Sequence, residues 1–336
     1  MLYCDPGSYI ADILLYMIEQ RSNTNLIGIM CVLGGTFALG IQDMIIKLVS
    51  GTYPLHEIGF VRSVFAILLS CVFLKMEGGF RQLRSSRPGT HLARGVLLIC
   101  ANMAYFLGLA SMPLGDAAAI FFSAPLIITL LAIPFLGEKI GLQRWLAVLV
   151  GMIGVIIMLR PGTDAIRLVG LLPLFAAVCY ASIQILARKL GAEENASVMA
   201  FYVQVCFIVF SIGFGIMFGS GWMSTGDNAT LDFLFRAWSV PDAFGFMMMA
   251  ACGLLVGIGG YLLSHAYRIA QVRTVAPFEY AGLPFAVLLG FIVWGDLPDR
   301  LSIIGILFIA LSGLYVFYRE NLMRKQAMVK EPVLRD

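Results

Sequence analysis

Charge is what this chain has least of: only 13% of its 336 residues are Asp, Glu, Lys or Arg, against roughly 25% in an average soluble domain. Polar runs are equally scarce, and only the stretch from about 220 to 242 is long enough to be an extended loop. Histidine is down to three residues, and no C-x-x-C, H-E-x-x-H, G-x-S-x-G or phosphate-binding loop occurs. The sequence therefore shows no apparatus for metal binding, nucleophilic catalysis or nucleotide hydrolysis, and implies no metal and no cofactor. Gly257-Ile258-Gly259-Gly260 is not a dinucleotide loop, because no strand precedes it; Gly253 and Gly257 suit close helix packing instead. With a net charge of +3 and no basic run next to aromatics, nothing points to a nucleic-acid partner.

What the chain has is apolar length. Hydrophobic residues make up 60% of it, and a membrane-spanning helix needs about 20 of them in a row. Ten such segments are expected, near 26–47, 55–75, 92–111, 115–136, 143–160, 168–188, 196–219, 243–267, 273–294 and 302–318. They are joined by short turn sequences such as Ser50-Gly51-Thr52-Tyr53-Pro54 and Trp294-Gly295-Asp296-Leu297-Pro298. The runs lack the alternating period of barrel strands, so the fold class is all-α integral membrane.

Basic residues set the orientation. With a cytoplasmic N-terminus, seventeen of the 23 Lys and Arg fall on the inner side and four on the outer side. That imbalance places both termini and the 76–91 loop in the cytoplasm and 220–242 outside. Residues 1–24 carry Asp5 and Asp12 and lack a basic start, so they are expected to be a cytoplasmic or interfacial segment, or to come from an upstream start codon, rather than a signal peptide. The seven cysteines read as small buried residues.

Two halves of the chain align. At an offset of 142, Ile41-Gln42 falls on Ile183-Gln184, Lys47-Leu48 on Lys189-Leu190 and Arg62 on Gln204. At an offset of 159, Ala117 falls on Ala276, Pro125 on Pro284 and Gly154 on Gly313, with Gly137 one residue out of step with Gly295. A five-span unit repeated in tandem enters the bilayer from opposite sides, which is the pattern of inverted-repeat transporters. The expected organisation is a first repeat over 25–162, a second over 163–320 and a cytoplasmic tail over 321–336.

Asp43-Met44-Ile45-Ile46-Lys47 and Glu57-Ile58-Gly59-Phe60-Val61-Arg62-Ser63 open the first unit. Ala124-Pro125-Leu126, Gly137-Glu138-Lys139 and Gly151-Met152-Ile153-Gly154-Val155 follow, with Pro284 and Gly295-Asp296 as echoes in the second. On these residues the chain resembles the drug/metabolite transporter superfamily, specifically proteins with two EamA-type domains. The resemblance covers about 25–320. It implies a basket of ten helices around a central cavity lined mainly by the first, third, fourth, sixth, eighth and ninth. It also implies a small-molecule cargo such as an amino acid, a vitamin, a nucleotide-like metabolite or a drug. The second half has Asp296 for Glu138 and lacks counterparts of Asp43, Glu57 and Arg62, so it need not gate by the same charges.

Ionisable groups inside a bilayer are costly and mark functional candidates. Around the turn at 52, Lys47 and Glu57 lie at one depth and Asp43 and Arg62 at another. Two stacked ion pairs are expected, either as a fixed brace or as a gate. Gln42 accompanies them. His265 and Glu279 flank the turn near 271, and Glu279 is the candidate proton-coupling group because it is the carboxylate well inside the second half; the alternative is a hydrogen-bonded structural role. Tyr105 and Phe121 offer rings to a flat cargo, or simply pack. Pro125 and Pro284 are expected to kink two symmetry-related spans.

The function these observations support is secondary transport of a small organic metabolite by alternating access across the cell inner membrane. Protons are the candidate coupling ion, membrane lipids are partners, and the protein is a monomer or homodimer. The alternative is a membrane-embedded enzyme acting on a lipidic substrate.

Overall fold

The computed structural model describes residues 6–83, 88–137, 141–160, 169–190, 196–224, 226, 228–270 and 272–330. Its helices are α1 (Pro6–Val49), α2 (Leu55–Met76), α3 (Pro88–Ser111), α4 (Leu114–Phe121), α5 (Ala124–Leu136), α6 (Leu142–Leu159) and α7 (Leu171–Leu190). They continue with α8 (Ala196–Phe218), α9 (Ala229–Phe235), α10 (Ala243–Ile269), α11 (Val272–Val275), α12 (Gly282–Trp294) and α13 (Arg300–Lys330). No strand occurs among the described residues. Nine stretches are long and apolar enough to cross a membrane, and Leu171–Leu186 is a shorter apolar helix, among the described residues. The all-α membrane class expected from the sequence is thus met; the sixth expected span is the one that falls short of the others in apolar length.

The outer surface explains the composition. Leu149, Ile153 and Ile156 of α6 and Ile303, Leu307 and Leu311 of α13 are all exposed. In water such a surface would be an aggregation site, whereas lipid solvates it without penalty. Glycines set the closest helix approaches. A Cβ added to Gly154 of α6 would lie 2.9 Å from the Gly305 carbonyl and 2.8 Å from Phe308 of α13. One added to Gly257 of α10 would lie 2.7 Å from Leu69 of α2, the close packing the sequence suggested.

Two spans are interrupted. Pro125 has no amide proton to continue the ladder, and α4 stops at Phe121 while α5 starts at Ala124. In the gap the Ser123 amide turns to the Ile120 carbonyl at 3.1 Å, and its hydroxyl takes the same carbonyl at 2.6 Å. In the second half a tighter 3₁₀ turn, Ala276–Ala281, begins beside Pro277 and leads into α12, which holds Pro284 near its start. Both α5 and α12 end on a left-handed glycine, Gly137 at φ 68° and Gly295 at φ 72°. Pro125 and Pro284 thus both lie in the first turn of the helix that follows the irregular stretch, and Pro134 sits inside α5 without ending it.

The two breaks meet. The Tyr280 hydroxyl donates to the Phe122 carbonyl at 3.4 Å, and their rings lie 5.4 Å apart. The largest buried cluster gathers around them, from Ile46 and Leu109 to Ile120, Leu283 and Ile309.

Candidate functional site: a buried polar path beneath a sealed face

One end of the bundle is tied shut. The hairpin between α1 and α2 is turned by the Val49 carbonyl, which accepts from the amides of Thr52 and Tyr53 at 3.0 Å each. Tyr53 then donates to Asp242, the N-cap of α10, at 2.6 Å. Arg236 donates to the Ser50 carbonyl at 2.9 Å, and Ser111 at the end of α3 shares a hydrogen bond of 2.6 Å with Thr230 of α9. The Ser239 amide donates to Glu57 at 3.1 Å, and Trp238 covers His56 and Phe60 at ring separations of 5.5 and 5.7 Å. The described residues between 221 and 242 are thus not a free loop but a strap with a short helix, whose N-cap is the Asn228 side chain, in contact with the Thr230 and Leu231 amides. The Tyr53 bond holds the Asp242 carboxyl below the usual carboxylate range and pushes the Tyr53 phenol up.

At the same end, Arg160 pairs with Asp299, whose carboxyl also accepts from the Ser302 amide at 2.8 Å. These bonds hold Asp299 well below its ordinary value and raise Arg160. Ser302 reaches on to Asp116 at 3.3 Å. A cavity of about 320 Å³ lies beside them, bordered by Met112, Asp116, Arg160, Asp299 and Ser302.

The expected ion pairs do not form. Lys47 donates instead to the carbonyls of Met112 and Leu109 and lies over the Trp294 ring, 5.2 Å from its centre. The last carbonyls of a helix are unpaired and carry its negative dipole end, so the C-terminus of α3 competes successfully for the ammonium. Glu57, fully buried, keeps one oxygen on Ser239 and the other without a partner. Arg62 and Asp43 are brought to one place but not into direct contact, because Gln42 stands between them. Its amide nitrogen donates to Asp43 at 2.9 Å and its oxygen accepts from Arg62 at 3.5 Å.

From Asp43 the polar path continues into rings. Tyr105 donates to the other Asp43 oxygen at 3.0 Å. Its ring meets Phe121 at 5.1 Å, and Phe121 meets Tyr180 at 5.6 Å. Gln184, one turn on from Tyr180, donates to its hydroxyl at 2.8 Å. Glu279 lies near enough to interact with Tyr180 and accepts a close hydrogen bond from Tyr267. His265, which the sequence set beside Glu279, stacks on Tyr261 instead, with ring centres 5.9 Å apart. Asp43, Phe121, Tyr180 and Glu279 are half-buried while Gln42, Arg62 and Tyr105 are buried. Tyr180, Tyr267 and Phe207 escaped the sequence reading because nothing distinguishes a lining aromatic from a packing one in a chain with 24 Phe and 12 Tyr. For Tyr180 a signal existed: its partner Gln184 is the repeat equivalent of Gln42. Glu138 and Lys139 lie outside the described residues. No His, Cys, Asp and Glu cluster able to hold a metal occurs among the described residues.

Comparison with known proteins decides the class of this arrangement. Residues 26–160 match the EamA-like transporter family. The first half of the chain is similar to an EamA-like transporter domain. Full-length relatives agree with it. An S-adenosylmethionine uptake transporter of Rickettsia bellii is 27% identical over 88% of this chain and 98% of its own length. A riboflavin transporter of Vibrio cholerae is 27% identical over 78% of this chain and 83% of its own. A pseudopaline exporter of Pseudomonas aeruginosa is 26% identical over 83% and 91%. One solved crystal structure, 20% identical, shares the fold with a TM-score of 0.58 over 88% of this chain and 98% of that one. The EamA-like resemblance read from the sequence is borne out, the chain is a multi-pass membrane protein, and its relatives are transporters of small molecules rather than enzymes.

Proposed function

We propose that this protein is a secondary transporter that moves a small organic metabolite by alternating access, with the Gln42–Asp43–Tyr105–Arg62 cluster at its central site. The observation that carries the reading is the coexistence of a sealed face with a polar and aromatic path buried beneath it. A permanent pore would need no seal, and an inert scaffold would gain nothing from burying Asp43, Arg62 and Glu279 in apolar spans.

The packing supports a second repeat over 163–320. Equating α1 with α7, α2 with α8, α3 with α10, α5 with α12 and α6 with α13 sends the α1–α10 contact onto α7–α3, α1–α12 onto α7–α5, and α2–α10 onto α8–α3. The contacts α2–α8 and α6–α13 then lie on the symmetry axis. The interrupted spans obey the same exchange. Such symmetry gives a transporter two related states, one open to each side.

The basic-residue bias supports cytoplasmic termini in a bacterial inner membrane, which makes the sealed face the outer one and the state inward-facing. Proton coupling through Glu279 is part of the proposal. Its carboxyl has a neutral phenol partner in Tyr267, so it is able to take up and release a proton. The test is exchange of labelled metabolites into proteoliposomes with and without a pH gradient. Exchange that needs no nucleotide, and a Glu279→Gln variant that exchanges cargo but no longer responds to the gradient, are the expected results. Absence of exchange across amino acids, flavins and S-adenosylmethionine contradicts the transport reading, and an unchanged gradient response in Glu279→Gln contradicts the coupling.

A further inference from the structure

Arg62 is a charge without a direct ion pair at the meeting point of five helices. It is 3% exposed, its Nε has no partner, and its one hydrogen bond is the long one to the Gln42 oxygen. Its guanidinium lies between the rings of Phe106 and Phe207, 5.4 and 5.1 Å from their centres. Ring faces attract a desolvated cation, but they do not offset the cost of a buried charge left unpaired. The guanidinium is therefore left with no anion in contact.

On the far side of the same amide lies the opposite shortage. Asp43 accepts from Gln42 and Tyr105, both neutral, and has no cation within ion-pair distance among the described residues. A guanidinium only donates and a carboxylate only accepts, so one orientation of the Gln42 amide serves both: oxygen toward Arg62, nitrogen toward Asp43. A single small group thus presents an acceptor to the cation and a donor to the anion, a short covalent distance apart. An α-amino-acid headgroup has the same layout with full charges, carboxylate on one side and ammonium on the other.

Resting on the transport reading above, we infer that the Gln42 amide occupies the seat of an α-amino-acid headgroup. The cargo's carboxylate takes Arg62 and its ammonium takes Asp43 when Gln42 turns aside. Full ion pairs replace hydrogen bonds to a neutral amide, which is where the binding energy arises. The Tyr105–Phe121–Tyr180 row begins at the ammonium side and offers ring faces to the remainder of the cargo. A riboflavin-type cargo, with neither headgroup charge, would leave both residues unsatisfied.

The test is competition in proteoliposome exchange, using labelled S-adenosylmethionine and the twenty common L-amino acids, with riboflavin as the contrast. For each amino compound exchanged, its carboxamide and its N-acetyl form are added as competitors to the wild-type protein. The inference expects both to compete at least tenfold more weakly than the parent. It also expects Gln42→Glu, which sets a carboxylate opposite Arg62, to keep or raise thermal stability and to lose exchange, because the anion seat is filled. If the amide and N-acetyl forms compete as well as the parent, or riboflavin alone is exchanged, the headgroup seat is wrong and transport stands. If nothing is exchanged, the transport reading fails with it. The wild-type competition decides the matter even if Gln42→Glu does not fold.

Discussion

The Tyr280 hydroxyl and the Phe122 carbonyl, 158 residues apart in sequence, meet at 3.4 Å where two interrupted spans face each other. The Leu126 amide, which would take the Phe122 carbonyl in a continuous helix, turns to the Ser123 carbonyl at 2.9 Å beside Pro125, and water is scarce at that depth. The phenol of the opposite interruption supplies a donor instead. Tyr280→Phe keeps the ring packing on Phe122 and Phe317 and removes only that donor. A net loss of about 1 kcal/mol is expected, read as a lower thermal midpoint in detergent. An unchanged midpoint shows that the break is satisfied in some other way.

The link between Tyr53 and Asp242 makes stability of the sealed face depend on pH. Asp242 is held below its ordinary value of 3.8, so its contribution is complete above that value and fades as pH falls through the lower folded value. Tyr53 is raised above 10.0, so its contribution is complete below that and fades as pH rises beyond it. The gap in thermal midpoint between wild type and Tyr53→Phe is therefore expected to be widest between these limits and to close toward strong acid. A gap that is constant from neutral pH to pH 3 contradicts the pairing.

Gly154 tests the helix contact that frames the bundle opposite the central site. Enlarging it to Leu drives a side chain into Gly305 and Phe308 of α13, and overpacking of this kind costs about 1–3 kcal/mol. Gly213 of α8 has open space around it, and Ala there is expected to be neutral or slightly stabilising, as helix propensity dictates. Comparable effects of the two substitutions on the thermal midpoint contradict the role assigned to close α6–α13 packing.

Much of the fold was legible in the sequence because spanning helices are written in apolar length. Pro125 and Pro284 marked the helices that follow the irregular stretches, since a missing amide proton is a local property. The charge partners were not legible. Depth matching set Lys47 beside Glu57 and Asp43 beside Arg62, but it carries no information on helix rotation or on competing backbone acceptors. The carbonyls at the end of α3 took Lys47, and Gln42 came between the other two. The strap from 221 to 242 read as a loop because its contacts, Tyr53 with Asp242 and Ser111 with Thr230, are long-range and leave no periodic trace. Arg62 was correctly singled out as a buried charge, while the ring pair that holds it, Phe106 and Phe207, is indistinguishable in sequence from ordinary core.

Alternating access, as proposed for this protein, requires the sealed face to open during each transport cycle. Ser111 and Thr230 touch across that seal, with their hydroxyl oxygens 2.6 Å apart. Replacing both by Cys, in a protein with its seven natural cysteines removed, allows the seal to be locked by oxidation and released by reductant. Exchange in proteoliposomes measured before oxidation, after it, and after reduction is the direct test. Cross-linking is expected to abolish exchange and reduction to restore it; a fully cross-linked protein that exchanges cargo at the reduced rate rules out opening of this face in the cycle.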